Sequence, residues 1–271
     1  MKQNDIKVAV AGLGAIGWEV AKSLDAGKVK GCRLVAVAAR NAPKAQDLLK
    51  GLSQPVSLLP LASLHEPADV VVECLPPALL RDMAAPALHT GKTVVVLSVG
   101  ALLRFPELLE QAQAGPGRLL VPSGAALGLD AIAAAAEGEI SSVKLVTRKP
   151  PAGFKGAPLV EAQGIDLDAL TEPLKLFEGS ARDAARDFPS NLNVAVALSL
   201  AGIGPDRTTL EVWADPGVSR NTHSVEVVSD SSVLRMQIEN IPSENPKTSR
   251  ITALSVLALL RKLASPVRVG T

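Results

Sequence analysis

Tyrosine is absent from this chain, and four phenylalanines and two tryptophans are its whole aromatic content. Without a phenol, the Tyr-Lys proton relay of short-chain dehydrogenases is excluded. Histidine occurs three times, at positions 65, 89 and 223, so chemistry that needs an imidazole has few candidates. The two cysteines, Cys32 and Cys74, are too few for a disulfide framework or a metal cluster. They read as small buried apolar groups in a reducing, cytoplasmic compartment, and no metal is expected. Excess charge is also missing. Lys+Arg is 28 against 27 for Asp+Glu, a net +1, whereas general binders of nucleic acid or membrane surfaces carry a basic excess. No apolar run approaches the ~18 residues of a membrane span. The first strand-like run begins within a few residues of Met1, which leaves no room for a signal peptide.

What is present starts with residues 6–17, Ile-Lys-Val-Ala-Val-Ala-Gly-Leu-Gly-Ala-Ile-Gly. An apolar strand runs into Gly12, Gly14 and Gly17, and a helical pattern follows from Trp18. In that strand–turn–helix context a G-x-G-x-x-G fingerprint denotes a dinucleotide site. Gly12 permits the tight turn, Gly14 lets the backbone approach a pyrophosphate, and Gly17 lets the helix sit close to the strand. The helix start at Ala15 and Ile16 offers free N–H groups and a partial positive charge to the phosphates.

Of the 271 residues 47% are apolar, enough for a sizeable core in one large domain or two ordinary ones. Strand-like runs at 6–11, 33–38, 69–74, 93–97 and 118–121 alternate with helix-like stretches such as 43–50, 77–90 and 106–114. Unbroken apolar strands such as Val70-Val71-Val72 and Val94-Val95-Val96 belong to sheets covered on both faces. The alternation therefore predicts an α/β unit with a doubly wound parallel (Rossmann) sheet, whose ligand sits at the carboxyl ends of the strands. After Pro122 the pattern changes. Helices are expected at 131–137 and 191–201, a strand at 139–149, and period-2 strands at 208–214, 221–228 and 233–240. In the last, Leu234, Met236 and Ile238 share one face and Arg235, Gln237 and Glu239 the other. This predicts a second, α+β domain with a mostly antiparallel sheet. A nearly all-round apolar helix at 250–263 is expected to return to the first domain. The domains are thus expected as 1–122 completed by 246–271, and 123–245.

Dinucleotide domains selective for NAD usually place an acid after the second strand to hold the ribose 2′-hydroxyl. Here the segment reads Val37-Ala38-Ala39-Arg40-Asn41, so NADP is expected to be at least tolerated. Arg40 either pairs with a 2′-phosphate, stacks on adenine or is simply solvated. His65 reads as a surface residue, and His89 as a favourable cation at a helix C-terminus. His223 shares a strand face with Val225 and Val227, which suits a core histidine as well as a catalytic one. Pro122-Ser123-Gly124-Ala125-Ala126 follows a strand at the domain junction, a common place for contacts to nicotinamide. In Phe188-Pro189-Ser190-Asn191-Leu192-Asn193, helix capping explains one asparagine but hardly both. Lys247-Thr248-Ser249 at a helix start suits a carboxylate ligand, although an ordinary N-cap explains most of it.

These motifs, in this order along nearly the whole chain, resemble those of the L-aspartate dehydrogenase family: Gly12–Gly17, Pro122-Ser123-Gly124-Ala125, Phe188-Pro189-x-Asn191-x-Asn193-Val194-Ala195, Asn221-Thr222-His223, and Asn245-Pro246-Lys247-Thr248-Ser249. The resemblance implies a homodimer using NAD or NADP to oxidise L-aspartate to iminoaspartate, which feeds NAD biosynthesis or hydrolyses to oxaloacetate and ammonia. It makes His223 the catalytic residue and points to Ala125 or Ala126 and Asn193 as cofactor contacts. A neutral histidine, ordinarily near ~6.5, suits removal of the amine proton. Lys247, Thr248 and Ser249 are the candidates for the substrate carboxylates. Dihydrodipicolinate-reductase-like and homoserine-dehydrogenase-like proteins share the glycine motif but not the later motifs. A non-catalytic NAD(P) sensor would carry an effector surface such as a basic helix, and none is evident.

Overall fold

Valine-rich runs with no polar alternation dictate a sheet buried on both faces. In the computed structural model, which describes residues 5–188, 192–241 and 249–270, β1 (Ile6–Ala11), β2 (Cys32–Ala38), β3 (Ser57–Leu58), β4 (Val70–Glu73), β5 (Thr93–Val95) and β6 (Arg118–Leu120) form that sheet. Its order is β3-β2-β1-β4-β5-β6 and every neighbouring pair is parallel. Val8, Val10, Val71, Val72, Val94 and Val95 are fully buried. The helices between strands are α1 (Ala15–Asp25), α2 (Ala42–Leu49), α3 (Leu80–His89) and α4 (Glu107–Ala114). Asn41 caps α2, its Oδ1 accepting from the Lys44 amide at 3.0 Å. The helix expected over 77–90 begins instead as a 3-10 turn, Pro77–Leu79, before α3. α3 ends at His89, where a cation is favourable.

The chain divides into two compact units, residues up to 124 with 252–269, and residues 125–251. The second contains α5 (Leu129–Ala135), β7 (Ile140–Lys149), α6 (Pro158–Ala162), β8 (Leu174–Ser180), α7 (Ala181–Asp187), α8 (Asn193–Ala201), β9 (Thr208–Ala214), β10 (Asn221–Ser229) and β11 (Val233–Asn240). Its sheet runs β11-β10-β7-β9-β8. β7 and β9 are parallel and the other neighbouring pairs antiparallel, so the sheet is mostly antiparallel, as the alternation implies. Burial alternates along β7, β9 and β10, leaving one face apolar and the other polar. Phe188, fully buried, packs edge-on against Phe154 and Phe177 with ring centroids 6.1 and 6.0 Å away.

Four short elements carry no periodicity that sequence reasoning could use: β3, α6, β8 and α7. In β8 a register shift between Lys175 and Phe177 breaks the two-residue alternation that marks a strand. In α7 most of the helical evidence is a cap, Ser180 Oγ accepting from the Asp183 amide at 3.0 Å. α9 (Arg250–Ala264) carries Ala253, Val256, Leu257 and Leu260 into the core formed by Val8, Val10, Val37 and Val72. Its Ser255 Oγ accepts from the Gly124 amide at 3.0 Å.

Candidate active site

In the first unit the glycine turn meets each steric demand of a dinucleotide cradle. Gly12 has a φ of +95°, and a Cβ there would stand 2.4 Å from the Cys74 carbonyl oxygen. At Gly17 a Cβ would stand 1.9 Å from the Gly12 carbonyl oxygen, so only hydrogen lets α1 pack on the turn. A Cβ at Gly14 would meet no protein atom within 4 Å. The open space at Gly14 is thus available to a ligand, and α1 begins there, at Ala15, with no side-chain cap over its first amides. A cleft of about 570 Å³ opens beside the turn, lined by Gly12, Gly14, Arg40, Asn41 and Lys44, with Cys74, Leu75 and Pro76 opposite. The residues present fit the pyrophosphate and adenosine of a nicotinamide dinucleotide. Among the described residues no carboxylate lines the cleft, while Arg40 and Lys44 do, so NAD and NADP are both compatible with it.

Beyond the cleft, at the carboxyl end of β4, lies a residue that sequence reasoning passed over. Glu73 is fully buried. Its Oε1 accepts from the Leu75 amide at 2.7 Å, and its Oε2 from the Leu97 amide (2.9 Å), the Ser98 amide (2.8 Å) and Ser98 Oγ (2.8 Å). Burial pushes this carboxyl above its ordinary value and the four donors act against that push. One side chain thereby ties the loop after β4 to the loop after β5. Burial also drives the Cys74 thiol well above its ordinary value, which keeps it protonated and unreactive. His65, expected at the surface, is half-buried with Nδ1 enclosed and no partner among the described residues.

In the second unit the apolar face of the sheet turns polar at one end, on three neighbouring strands at once. Along β7, Val143 and Leu145 give way to Thr147 and Lys149. Along β10, read backwards, Val227 and Val225 give way to His223 and Asn221. Along β11, Leu234, Met236 and Ile238 give way to Asn240. The pairings His223 with Thr147, His223 with Ile238, and Asn221 with Asn240 bring these polar ends together. Thr147, Lys149, Asn221, His223 and Asn240 are all buried. His223 Nδ1 lies 3.1 Å from Thr147 Oγ1, and Nε2 makes no hydrogen bond among the described residues. Burial first, and the Lys149 ammonium second, push the imidazole down to about 3, far below the ordinary value that the sequence alone suggests. Burial likewise pushes the Lys149 ammonium down to about 8; its Nζ stands 5.7 Å from the centroid of the Phe154 ring. Asn240 Nδ2 donates to the Ala125 carbonyl at 3.2 Å, which fixes the segment carrying Ala125 and the buried Ala126 against this end of the sheet.

Gly12, Gly14 and Arg40 therefore share one cleft with Lys44, Ala15, Ile16 and Gly17 form the adjoining helix start, and His223 and Ala125 share one polar cluster in the other unit. Asn193 is the exposed first residue of α8 rather than its N-cap. Ser249 is buried immediately before α9. Lys247 and Thr248 lie outside the described residues. Glu73, Thr147, Lys149 and Asn240 escaped sequence reasoning, and Asn221 entered it only as part of the Asn221-Thr222-His223 motif. A lysine in the inward phase of an apolar strand is the signal that points to Lys149.

Two family models match the chain. Residues 130–263 match the family described as aspartate dehydrogenase, C-terminal, and residues 12–122 match that described as homoserine dehydrogenase, NAD binding domain. The chain is 62% identical over 269 residues to L-aspartate dehydrogenase 3 of Bordetella bronchiseptica, covering 99% of each chain. It is 56% identical over 268 residues to L-aspartate dehydrogenase of Bradyrhizobium diazoefficiens, covering 99% of this chain and 95% of the relative. The crystal structure of aspartate dehydrogenase from Thermotoga maritima is similar over 98% of this chain and 100% of its own, with 25% identity and a TM-score of 0.74. With a dinucleotide cradle in one unit and a buried imidazole in the other, this NAD(P)-dependent oxidoreductase belongs to the L-aspartate dehydrogenase family.

Proposed function

We propose that the protein oxidises L-aspartate to iminoaspartate, with His223 as the general base, and that the imine then either hydrolyses to oxaloacetate and ammonia or enters NAD biosynthesis. The observation that carries this reading is the buried, neutral imidazole beside Thr147 at the polar end of the second sheet. With Nδ1–H donated to Thr147 Oγ1, Nε2 presents its lone pair to the substrate. His223 takes a proton from the substrate ammonium, and the freed nitrogen lone pair forms the C=N bond as hydride leaves Cα. A bound nicotinamide supplies the two-electron acceptor for that hydride. Gly12, Gly14, Ala15, Ile16 and Gly17 hold its pyrophosphate, and Arg40, with Lys44, takes the ribose 2′-hydroxyl or 2′-phosphate. Ala125 or Ala126 and Asn193 contact its nicotinamide end. Ser249, with Lys247 and Thr248, holds substrate carboxylate. The chain works as a cytoplasmic homodimer; among the described residues no helix is long and apolar enough to cross a membrane.

The test is a matrix of L-aspartate, homoserine and malate against NAD and NADP, read at the reduced-nicotinamide absorbance band. Signal with aspartate is expected, and signal with homoserine alone overturns the reading. General acid–base catalysis contributes about 10²–10⁴-fold. His223→Ala should lower turnover by about that factor while the Kd for NAD(P) is unchanged, and near-normal turnover removes His223 from the mechanism.

A further inference from the structure

We infer that the protein selects NADP over NAD, with Arg40 and Lys44 together holding the 2′-phosphate of the adenosine ribose. The inference rests on the dinucleotide reading above and decides between the two ribose groups that reading leaves open. With the pyrophosphate at the glycine turn, the adenosine ribose reaches the residues that follow β2. Those residues adjoin the turn directly, because the Gly12 amide donates to the Ala38 carbonyl at 2.8 Å. A little further on, Asn41 caps α2, its Oδ1 accepting from the Lys44 amide at 3.0 Å. The short segment carrying Arg40 is thus pinned at both ends. Lys44 stands in the first turn of α2 and lines the same cleft.

Telling a 2′-hydroxyl from a 2′-phosphate is a choice between acceptors and donors. A ribose hydroxyl is held by a carboxylate that accepts its proton, and the same carboxylate repels a phosphate. Among the described residues that line the cleft, Asn41 Oδ1 is the one side-chain oxygen, and it is engaged at the start of α2. Donors are present instead. Among the described residues neither Arg40 nor Lys44 has an ion pair or a side-chain hydrogen bond. The acids of the adjoining helices are committed elsewhere: Asp47 of α2 pairs with Lys50 at 2.8 Å, and Asp25 of α1 accepts from the Ser53 amide and hydroxyl. Two uncompensated cations lining one cleft repel one another, and a bound dianion offsets that repulsion. The guanidinium presents a planar fork that matches phosphate oxygens, and the ammonium adds a point charge. Leu48, Leu59, Leu61 and Leu75 supply an apolar wall for the adenine.

The experiment is calorimetric titration of wild type, Arg40→Gln, Lys44→Gln and the double variant. Both side chains are exposed, so the variants should fold as wild type does. The probes are two pairs that differ only in the 2′-phosphate: NADPH against NADH, and adenosine 2′,5′-bisphosphate against 5′-AMP. The second pair needs no turnover. A hydrogen bond to a charged group corresponds to roughly 10–100-fold in affinity. Wild type should favour the phosphorylated member of each pair by about that factor, and added salt should shrink the margin. Each single variant should lose about tenfold of the margin and the double variant nearly all of it, while the Kd for NADH changes far less. Equal wild-type affinity within either pair, or a preference that survives in the double variant, overturns the inference. Failure to bind either dinucleotide overturns the cofactor reading along with it. Tight NADPH binding without aspartate turnover overturns the dehydrogenase reading alone.

Discussion

Each of the two units buries an ionisable side chain at the end of its sheet, and the two are treated in opposite ways. Glu73 in the first unit is met by four donors from two loops. His223 in the second is met by one hydroxyl and stands beside a cation. A buried charge saturated with hydrogen bonds is a structural tie, since any change of protonation or partner breaks several bonds at once. A buried base with one partner is left able to exchange a proton, which is the condition of a group that reacts. The contrast separates a carboxyl tied to two loops from an imidazole left with a single partner, the group proposed above as the base, although both are buried, titratable and placed at strand ends.

The largest expected effect breaks the structural tie. Glu73→Ala strands four donors in a buried site, at about 1–3 kcal/mol for each that stays unsatisfied. A loss of several kcal/mol is expected in urea unfolding, together with weakened NAD(P) binding as the loops after β4 and β5 lose their shared anchor. A loss under ~1 kcal/mol would mean that water or a rearranged loop replaces the carboxylate, and the contrast with His223 would collapse.

Next in size is a pH effect that belongs to His223. Its folded-state value, about 3, is below the 6.5 of the unfolded chain. Between those values the unfolded chain holds a proton that the folded state refuses, so stability rises with pH across that window and is lost as pH falls through it. At pH 4 the cost amounts to about 3 kcal/mol by the proton-linkage relation. The variant His223→Gln has no such proton, so its stability should fall less steeply than that of wild type between pH 6.5 and 4, as measured by urea unfolding at a series of pH values. Parallel curves for the two proteins would show that the imidazole titrates normally in the folded state.

The smallest change sharpens the comparison. Thr147→Val removes the hydrogen bond to His223 and keeps the shape. Stability should drop by about 1 kcal/mol, the scale of one neutral hydrogen bond. The turnover number should fall roughly tenfold, because the imidazole loses the partner that sets its tautomer. Equal or greater destabilisation than Glu73→Ala would show His223 to be clamped rather than poised.

Much of this was readable from the order of residues. The glycine turn, the alternation of strand and helix and the edges of β9 and β11 all rest on local sterics or local periodicity. His223 could be singled out as one of three histidines, and its phase with Val225 and Val227 placed it on the buried face. The sequence also shows that the segment after β2 has no acid and a basic Arg40.

What the sequence could not decide is the company each buried group keeps. Thr147 lies 76 residues before His223 and meets it only through the register of β7 and β10, as Asn240 meets Asn221 through that of β10 and β11. The same holds for Glu73, whose donors at Leu97 and Ser98 come from the loop after the next strand of the sheet. Local chain geometry depends on a few adjacent residues, so a short motif fixes it. Burial, proton affinity and hydrogen-bond satisfaction depend on segments that meet only when the sheets close, and the tertiary structure alone sets them.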